Sequence, residues 1–390
     1  MIDFKKNIME IVKSALNIEC EVTVPEDWKK VLFYGKRHKV MPLLYYGIHN
    51  AGVKMPAEIE TQLFSNTAFN MTVNNKQLYE LNAIRKEFLE NKIDFIVLKG
   101  ANLKQYYPKP EMRPMGDIDV LIKTDQYEII KPIMERLGFT ADKESDHELV
   151  WVKGQIMVEL HKKLIPSYNK DFYEYYGDAW KKAIPIEGST EFNYSKEDNF
   201  IYLFTHFAKH YRDAGIGLIH IIDIFLFLEN NQDMNEEYIC SELQKLRLLD
   251  FFKNVKQTIE AYFKKGETNA KTDIILERVF DSGSYGNNKA NAISITAKKT
   301  KNLKNKKQVR LVLFFKRVFM PYKLMCGRHK ILKKAPVLLP VFWIYRIFWV
   351  LFKTKNLKKE ISYLKYSSTD EVVKFYTELN TVGLDFNFDE

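Results

Sequence analysis

The chain has 390 residues, 46% hydrophobic and 14% aromatic, which suits two or three packed domains and excludes a globally disordered chain. A formal charge of +10 and a pI near 9.1 favour anionic partners (phosphate-rich ligands, nucleic acid or an anionic membrane surface) without choosing among them. Cys20, Cys240 and Cys326 are too far apart for a metal-ligand spacing, a disulfide framework is not expected, and the charged start Met1-Ile2-Asp3-Phe4-Lys5-Lys6 lacks an apolar signal core, so the expected location is cytoplasmic.

In chain order, Phe4, Ile8, Ile11, Val12 and Leu16 recur at helical spacing. A second helix is expected from Trp28 to Leu44, and a third from Pro56 to Leu89. The period changes after Asn91: Phe95 to Leu98 reads as a buried strand ended by Lys99-Gly100. One or two helical turns follow over 101–107, stopped by Pro108 and Pro110. Asp117 to Ile122 reads as a second strand. Thr124 is the expected N-cap of the next helix, Pro132 should kink it and Gly138 should close it. Residues 148–152 and 155–161 read as a hairpin turning at Lys153-Gly154.

From Asp171 the pattern is again helical, with an aromatic-rich helix at 199–210, an apolar one at 216–228, and helices to about Lys265. Gly283 and Gly286 mark a break before a lysine- and asparagine-rich stretch, read as a linker. Leu311 to Val318 is apolar and basic, and Ala335 to Phe352 is almost wholly apolar between basic flanks. The expected organisation is α+β: a helical region over 1–90, a mixed-sheet core over 91–165, a helical substrate-side domain over 166–280, a linker over 281–310 and a basic, aromatic helical region over 311–390.

The chemistry is expected at Asp117-Ile118-Asp119. Residues two apart on a strand share a face, so the two carboxylates project together, opposite Ile118 and Val120. Burying two like charges is costly unless a divalent cation sits between them. Glu159 points with Met157 and His161, away from Val158 and Leu160, and becomes a third ligand if its strand lies beside the first. The expected metal ligands and catalytic groups are therefore Asp117, Asp119 and Glu159, the last also drawing the proton from an incoming hydroxyl. Magnesium, which prefers carboxylates and phosphate oxygens, is the expected ion, with two ions anticipated and manganese as an alternative. Gly100 would let the backbone approach a phosphate, the following helix would aim its N–H groups there, and Lys99, Lys104 and Arg113 are nearby cations.

The words Leu98-Lys99-Gly100, Tyr107-Pro108, Arg113, Gly116-Asp117-Ile118-Asp119, Gly138-Phe139 and Val158-Glu159-Leu160-His161 resemble the DNA polymerase β-like nucleotidyltransferase superfamily. Within it they resemble a bacterial branch often found beside peptide and polysaccharide biosynthesis genes. The resemblance implies a mixed sheet flanked by helices, two magnesium ions, and transfer of a nucleoside monophosphate from a triphosphate with release of pyrophosphate. It makes Asp117, Asp119 and Glu159 the metal ligands and puts Gly100 in the phosphate turn. Where the superfamily usually has Gly-Ser or Gly-Gly, this chain has Gly100-Ala101, leaving Lys99 and backbone amides to meet the phosphate.

His206 and His210, one turn apart, either line the nucleotide or acceptor side or pack within an aromatic helix. Asp223, in an apolar helix, needs a histidine or arginine partner. His161 either orients the metal site or is exposed at a strand end. The expected partners are a nucleoside triphosphate and a small-molecule or peptide acceptor, with no specific nucleic acid. The alternatives are a nucleotide-binding descendant of the fold with little or no activity, and an accessory protein at the membrane surface. Residues 335–352 are expected to form a buried helical hairpin, with membrane-surface contact through 311–359 as the other reading.

Overall fold

The computed structural model describes residues 2–284, 286, 293–294, 319, 322, 325–326, 329–352 and 369–384. The chain divides into two compact units, one of Met1–Lys209, Ile216–Tyr285 and Val382–Glu390, the other of His210–Gly215 and Gly286–Thr381.

The first unit begins with four helices, α1 (Ile2–Ala15), α2 (Trp28–His38), α3 (Met41–Asn50) and α4 (Ala57–Glu90). The single helix expected over 28–44 is two. Lys39 adopts the left-handed region (φ 57°), and Pro42 lies in the first turn of α3. Proline has no N–H and its ring crowds the carbonyl four residues back, so it starts a helix better than it continues one.

Helices α1 and α3 approach so closely that a Cβ on Gly47 would lie 2.0 Å from the Ile11 carbonyl oxygen. Gly47→Ala must therefore push the helices apart. A loss of roughly 1–3 kcal/mol is expected, measurable as a lower urea midpoint.

A five-stranded sheet follows: β1 (Phe95–Val97), β2 (Ile118–Ile122), β3 (Thr140–Glu144), β4 (Glu148–Lys153) and β5 (Ile156–His161), in spatial order β1-β2-β5-β4-β3. β2 and β5 run parallel and the other neighbours antiparallel. Alternation sends Ile118, Val120, Val158, Leu160, Leu149 and Trp151 into one core with Leu81, Ile84 and Phe88 of α4. Ile130, Ile133 and Met134 of α6 (Tyr127–Arg136) pack into the same core. The opposite face is left for Asp119, Glu159 and His161.

Some local expectations differ from what forms. Thr124 opens a 3-10 turn, Thr124–Gln126, and α6 starts at Tyr127 with no side-chain cap. Gly138, at φ 85°, does close it. Strand β3 carries no hydrophobic alternation and all five of its residues are exposed, so it gives no periodic signal. The helix expected from Asp171 is only one turn, α7 (Lys170–Tyr173). It is followed by a short hairpin of β6 (Ile184–Pro185) and β7 (Phe192–Asn193). Buried Phe172, Tyr176 and Ala179 mimic a helical period, but Pro185 and Gly188 (φ 72°) turn the chain.

Helices α8 (Lys196–Asp213), α9 (Leu218–Asn230), α10 (Glu236–Lys245), α11 (Leu249–Phe263) and α12 (Ala270–Ser282) follow. Gly283 (φ 78°) ends the last of them. The architecture is thus α+β, a mixed sheet flanked by helices.

His38 ties α2 to α9 and α12: its Nε2 donates to the Phe280 carbonyl at 3.1 Å, and its Nδ1 accepts the Leu218 N–H at 3.2 Å. Burial, then Arg37, pushes this imidazole down to about 4. The unfolded chain binds a proton near 6.5 that the folded chain refuses until about 4, so this contribution is complete above 6.5 and is lost as pH falls through that window. Urea unfolding at pH 7.5 and pH 5 should show wild type losing about 2 kcal/mol more than His38→Gln over that interval.

In the second unit, 3-10 turns at Lys330–Lys333 and Pro336–Leu338 lead into α13 (Leu339–Phe352), and α14 spans Thr369–Thr381. Met325, Cys326 and Leu332 form a small core with Leu338, Leu339, Phe342 and Trp343 packed on it. The buried hairpin expected over 335–352 is instead one helix after a 3-10 turn, with Val337, Val341, Ile344 and Tyr345 exposed. Most of the lysine- and asparagine-rich linker, and the apolar run at 311–318, lie outside the described residues. Among those described, no helix is long and apolar enough to cross a membrane.

Candidate active site

The parallel register of β2 and β5 sets Asp119 directly beside Glu159. Both point away from the core, as the alternation of their neighbours requires. His161, two residues beyond Glu159, shares that face. Its Nε2 lies 2.7 Å from Asp119 Oδ1 and 3.6 Å from Glu159 Oε2. Lys99, just past β1, reaches the same Asp119 oxygen with Nζ at 2.9 Å. Asp119, Glu159 and His161 each offer a ligand atom within 4.8 Å of the others. His161 is buried, so the strand-end reading does not hold.

The charges are uneven. Burial pushes Asp119 up, but Lys99 and then His161 outweigh it and hold the carboxyl below its usual range. Glu159 is pushed up to about 8, first by burial and then by Asp117, Asp119 and Glu148. Burial, reinforced by Lys99, lowers His161 against the pull of Asp119. A neutral imidazole donating from Nε2 to an ionised Asp119 leaves Nδ1 with a lone pair. That atom is buried with no hydrogen-bond partner. A carboxylate forced towards its protonated form beside a second carboxylate, with the imidazole of His161 at the same oxygens, is a side-chain set that fits a divalent cation.

Asp117 falls outside this group. It precedes the first paired residue of β2, so the pleat does not hold it. It is half-buried, and burial followed by Asp119 raises its carboxyl, with Lys99 and Lys39 opposing. Two neighbours were missed in the sequence. Glu148 faces His161 across the β4–β5 hairpin, a register that the turn at Gly154 makes countable. Lys39 acts on Asp117 from the kink between α2 and α3, which only tertiary folding brings near.

Lys99 has φ 43° and ψ −115°, a backbone conformation that costs a side-chain-bearing residue roughly 1–3 kcal/mol and that concentrates at functional positions. The helix after it, α5 (Gly100–Leu103), is a single turn. A Cβ on Gly100 would lie 2.5 Å from Arg113 Nη1, so glycine here makes room for Arg113.

Arg113 itself is engaged elsewhere. Its Nε and Nη2 hold Asp223 of α9 at 3.2 and 2.9 Å, and the Tyr107 hydroxyl donates to the same carboxylate at 2.7 Å. This is the arginine partner expected for Asp223. Lys104 Nζ donates to the Arg113 carbonyl at 2.7 Å, and burial, then Arg113, pushes it down to about 7. Lys104 and Arg113 thus brace the loop that carries Asp117, and Gln77 of α4 pins the same loop through the Met115 carbonyl. His206 and His210 lie one turn apart on α8, both half-buried, and neither joins the metal-capable group.

A cavity of about 210 Å³ opens beside Lys99, lined by Asn102, Tyr106, Tyr194, Asn199 and Tyr202 among others. Lys99 Nζ lies 5.8 Å from the Tyr202 ring centroid.

This fold and site define an α+β protein with a carboxylate-rich, metal-capable face on a mixed sheet. The family model of uncharacterised nucleotidyltransferases matches residues 25–264, and the chain belongs to that family. Membership supports a general nucleotidyl-transfer function and implies a nucleoside triphosphate substrate. Searches of curated proteins and of solved structures found no match.

Proposed function

We propose that the protein is a magnesium-dependent nucleotidyltransferase of the DNA polymerase β-like superfamily. It transfers a nucleoside monophosphate from a triphosphate to a small-molecule or peptide hydroxyl, releasing pyrophosphate. The observation that carries this reading is Asp119 beside Glu159 in parallel register, with Lys99 and His161 converging on Asp119. The resemblance of the surrounding motif words supports the superfamily and its bacterial branch.

Asp119 and Glu159 would hold magnesium, with Asp117 completing the set from the mouth of β2 and His161 orienting Asp119. The carboxylates also suit manganese. Bound there, the metal would offset the clustered negative charge and stabilise the charge developing on the transferred phosphoryl group. Lys99, paired to Asp119 and facing the cavity, is the cation placed for the triphosphate. Gly100 and Ala101 offer only backbone beside it. Tyr106, Tyr194 and Tyr202 supply aromatic surface for a nucleoside. The acceptor oxygen bonds to the α-phosphorus, the bond to the pyrophosphate bridging oxygen breaks, and the acceptor proton passes to the Glu159 carboxylate. The braced Arg113–Asp223 loop keeps Asp117 and Asp119 in place through this step. Location in the cytoplasm, with residues 91–165 as the catalytic core and 166–280 as the substrate side, belongs to the same proposal.

The test is incubation of the protein with each labelled nucleoside triphosphate and magnesium, in the presence of cell extract. Pyrophosphate release and a labelled product, both removed by a chelator, are expected. Absence of triphosphate binding and turnover, with the Asp117→Asn/Asp119→Asn double variant indistinguishable from wild type, would sink the reading.

A further inference from the structure

The positive charge of this chain is not spread evenly. Residues 282–359 contain twenty lysines and arginines and no aspartate or glutamate. The rest of the chain has forty basic against fifty acidic residues and is net negative. Within this basic stretch lies α13, whose residues from Leu339 to Phe352 are all apolar or aromatic except Arg346.

One side of α13 is satisfied. Leu339, Phe342 and Trp343 pack on the small core of Met325, Cys326 and Leu332. The other side is exposed. Val337 is 83% exposed, Val341 59%, and Ile344 and Tyr345 55% each. Positions 341, 344 and 345 share a helix face, and Val337 continues that row into the preceding turn. Lysines 333, 334, 353 and 355 bracket the helix in sequence.

An uncharged aliphatic row left in water requires an explanation, because soluble surfaces seldom keep contiguous apolar patches. Its surroundings decide among occupants. A second copy would bring an equally basic stretch of chain against this one, and like charges repel. Single-stranded nucleic acid is gripped by cations and stacked aromatics, so Val337, Val341 and Ile344 would have no role. A bilayer surface with anionic headgroups satisfies both features at once: lysines meet the headgroups and the aliphatic row enters the acyl boundary. Over its described residues the helix is too short to span. Its 14 residues cover about 21 Å, short of the roughly 30 Å hydrocarbon core.

We propose that α13 is an in-plane membrane anchor, docking this protein on anionic lipid surfaces through Val337, Val341, Ile344 and Tyr345, within the most basic stretch of the chain. The inference does not depend on the transferase reading. Its consequence for function is location: an enzyme held there meets acceptors that are themselves at the membrane.

The test is co-sedimentation of the full chain with vesicles of phosphatidylcholine alone, or with a third of phosphatidylglycerol. Binding should be at least roughly tenfold stronger to the anionic vesicles. Val341→Asp/Ile344→Asp should lower it roughly tenfold or more, and Val341→Leu/Ile344→Leu should keep it. Both positions are exposed, and an unchanged thermal midpoint confirms folding. Equal binding to both vesicle types, or no binding, overturns the proposal. So does an aspartate variant that binds like wild type. Single-stranded RNA bound in preference to vesicles assigns the charge to nucleic acid instead, and a dimer that the aspartate variant dissociates assigns the face to a second copy.

Discussion

Asp119→Asn is expected to eliminate magnesium-dependent pyrophosphate release, with a loss on the order of 10³-fold or more, while Glu159→Gln should cost about 10²–10⁴-fold. The two substitutions should separate in their effect on stability. Asp119 is the anion shared by Lys99 and His161, so its amide leaves a half-buried lysine without its closest counter-charge. A lower thermal midpoint is expected. Glu159 instead sits among Asp117, Asp119 and Glu148, which push its carboxyl up. Glu159→Gln removes that repulsion, and the metal-free protein should be as stable as wild type or more so. Thermal unfolding without metal, beside a pyrophosphate assay with magnesium, reads both effects. Loss of stability in Glu159→Gln together with retained activity would mean that this carboxylate is part of the framework and not of the chemistry.

Asp223→Ala and Arg113→Ala should each destabilise the first unit by about 3–5 kcal/mol, because each strands a buried charge. Asp223 is fully buried and Arg113 nearly so. Their bidentate contact joins α9 to the loop before β2, and Tyr107 adds a third hydrogen bond. Tyr107→Phe removes only that last bond and should cost about 1 kcal/mol. Replacing both charges, as Arg113→Met/Asp223→Leu, should recover much of the loss, since apolar pairs of similar volume often match a buried ion pair. Urea unfolding gives the stability series. If each alanine variant loses less than about 1 kcal/mol, the pair is solvated in solution and does not brace the loop.

The α+β architecture was legible because its main signals are local. Long amphipathic periods mark α1 and α4, β1 and β2 are short apolar runs, and a glycine turn fixes the β4–β5 hairpin. The missed elements lack such signals. β3 is exposed along its whole length, and the short hairpin after α7 is preceded by buried aromatics at a helical period. Helices α2 and α3 separate just before Pro42, which was in plain view, so there the turn chemistry outweighed the apolar period.

The sequence by itself determined which side chains could do chemistry and which strands carry them. The two-residue period of a strand puts Asp119 on one face of β2 and Glu159 with His161 on one face of β5. Only the tertiary structure decided how they meet. It paired β2 with β5, turned His161 and Lys99 onto Asp119, and left Asp117 at the strand mouth. It also engaged Arg113 and Lys104 with α9 and with backbone carbonyls, although all three cations near the motif look alike in sequence. The physical reason is that charge and periodicity are local properties. Which buried charge finds which partner depends on contacts more than a hundred residues apart, such as Arg113 with Asp223.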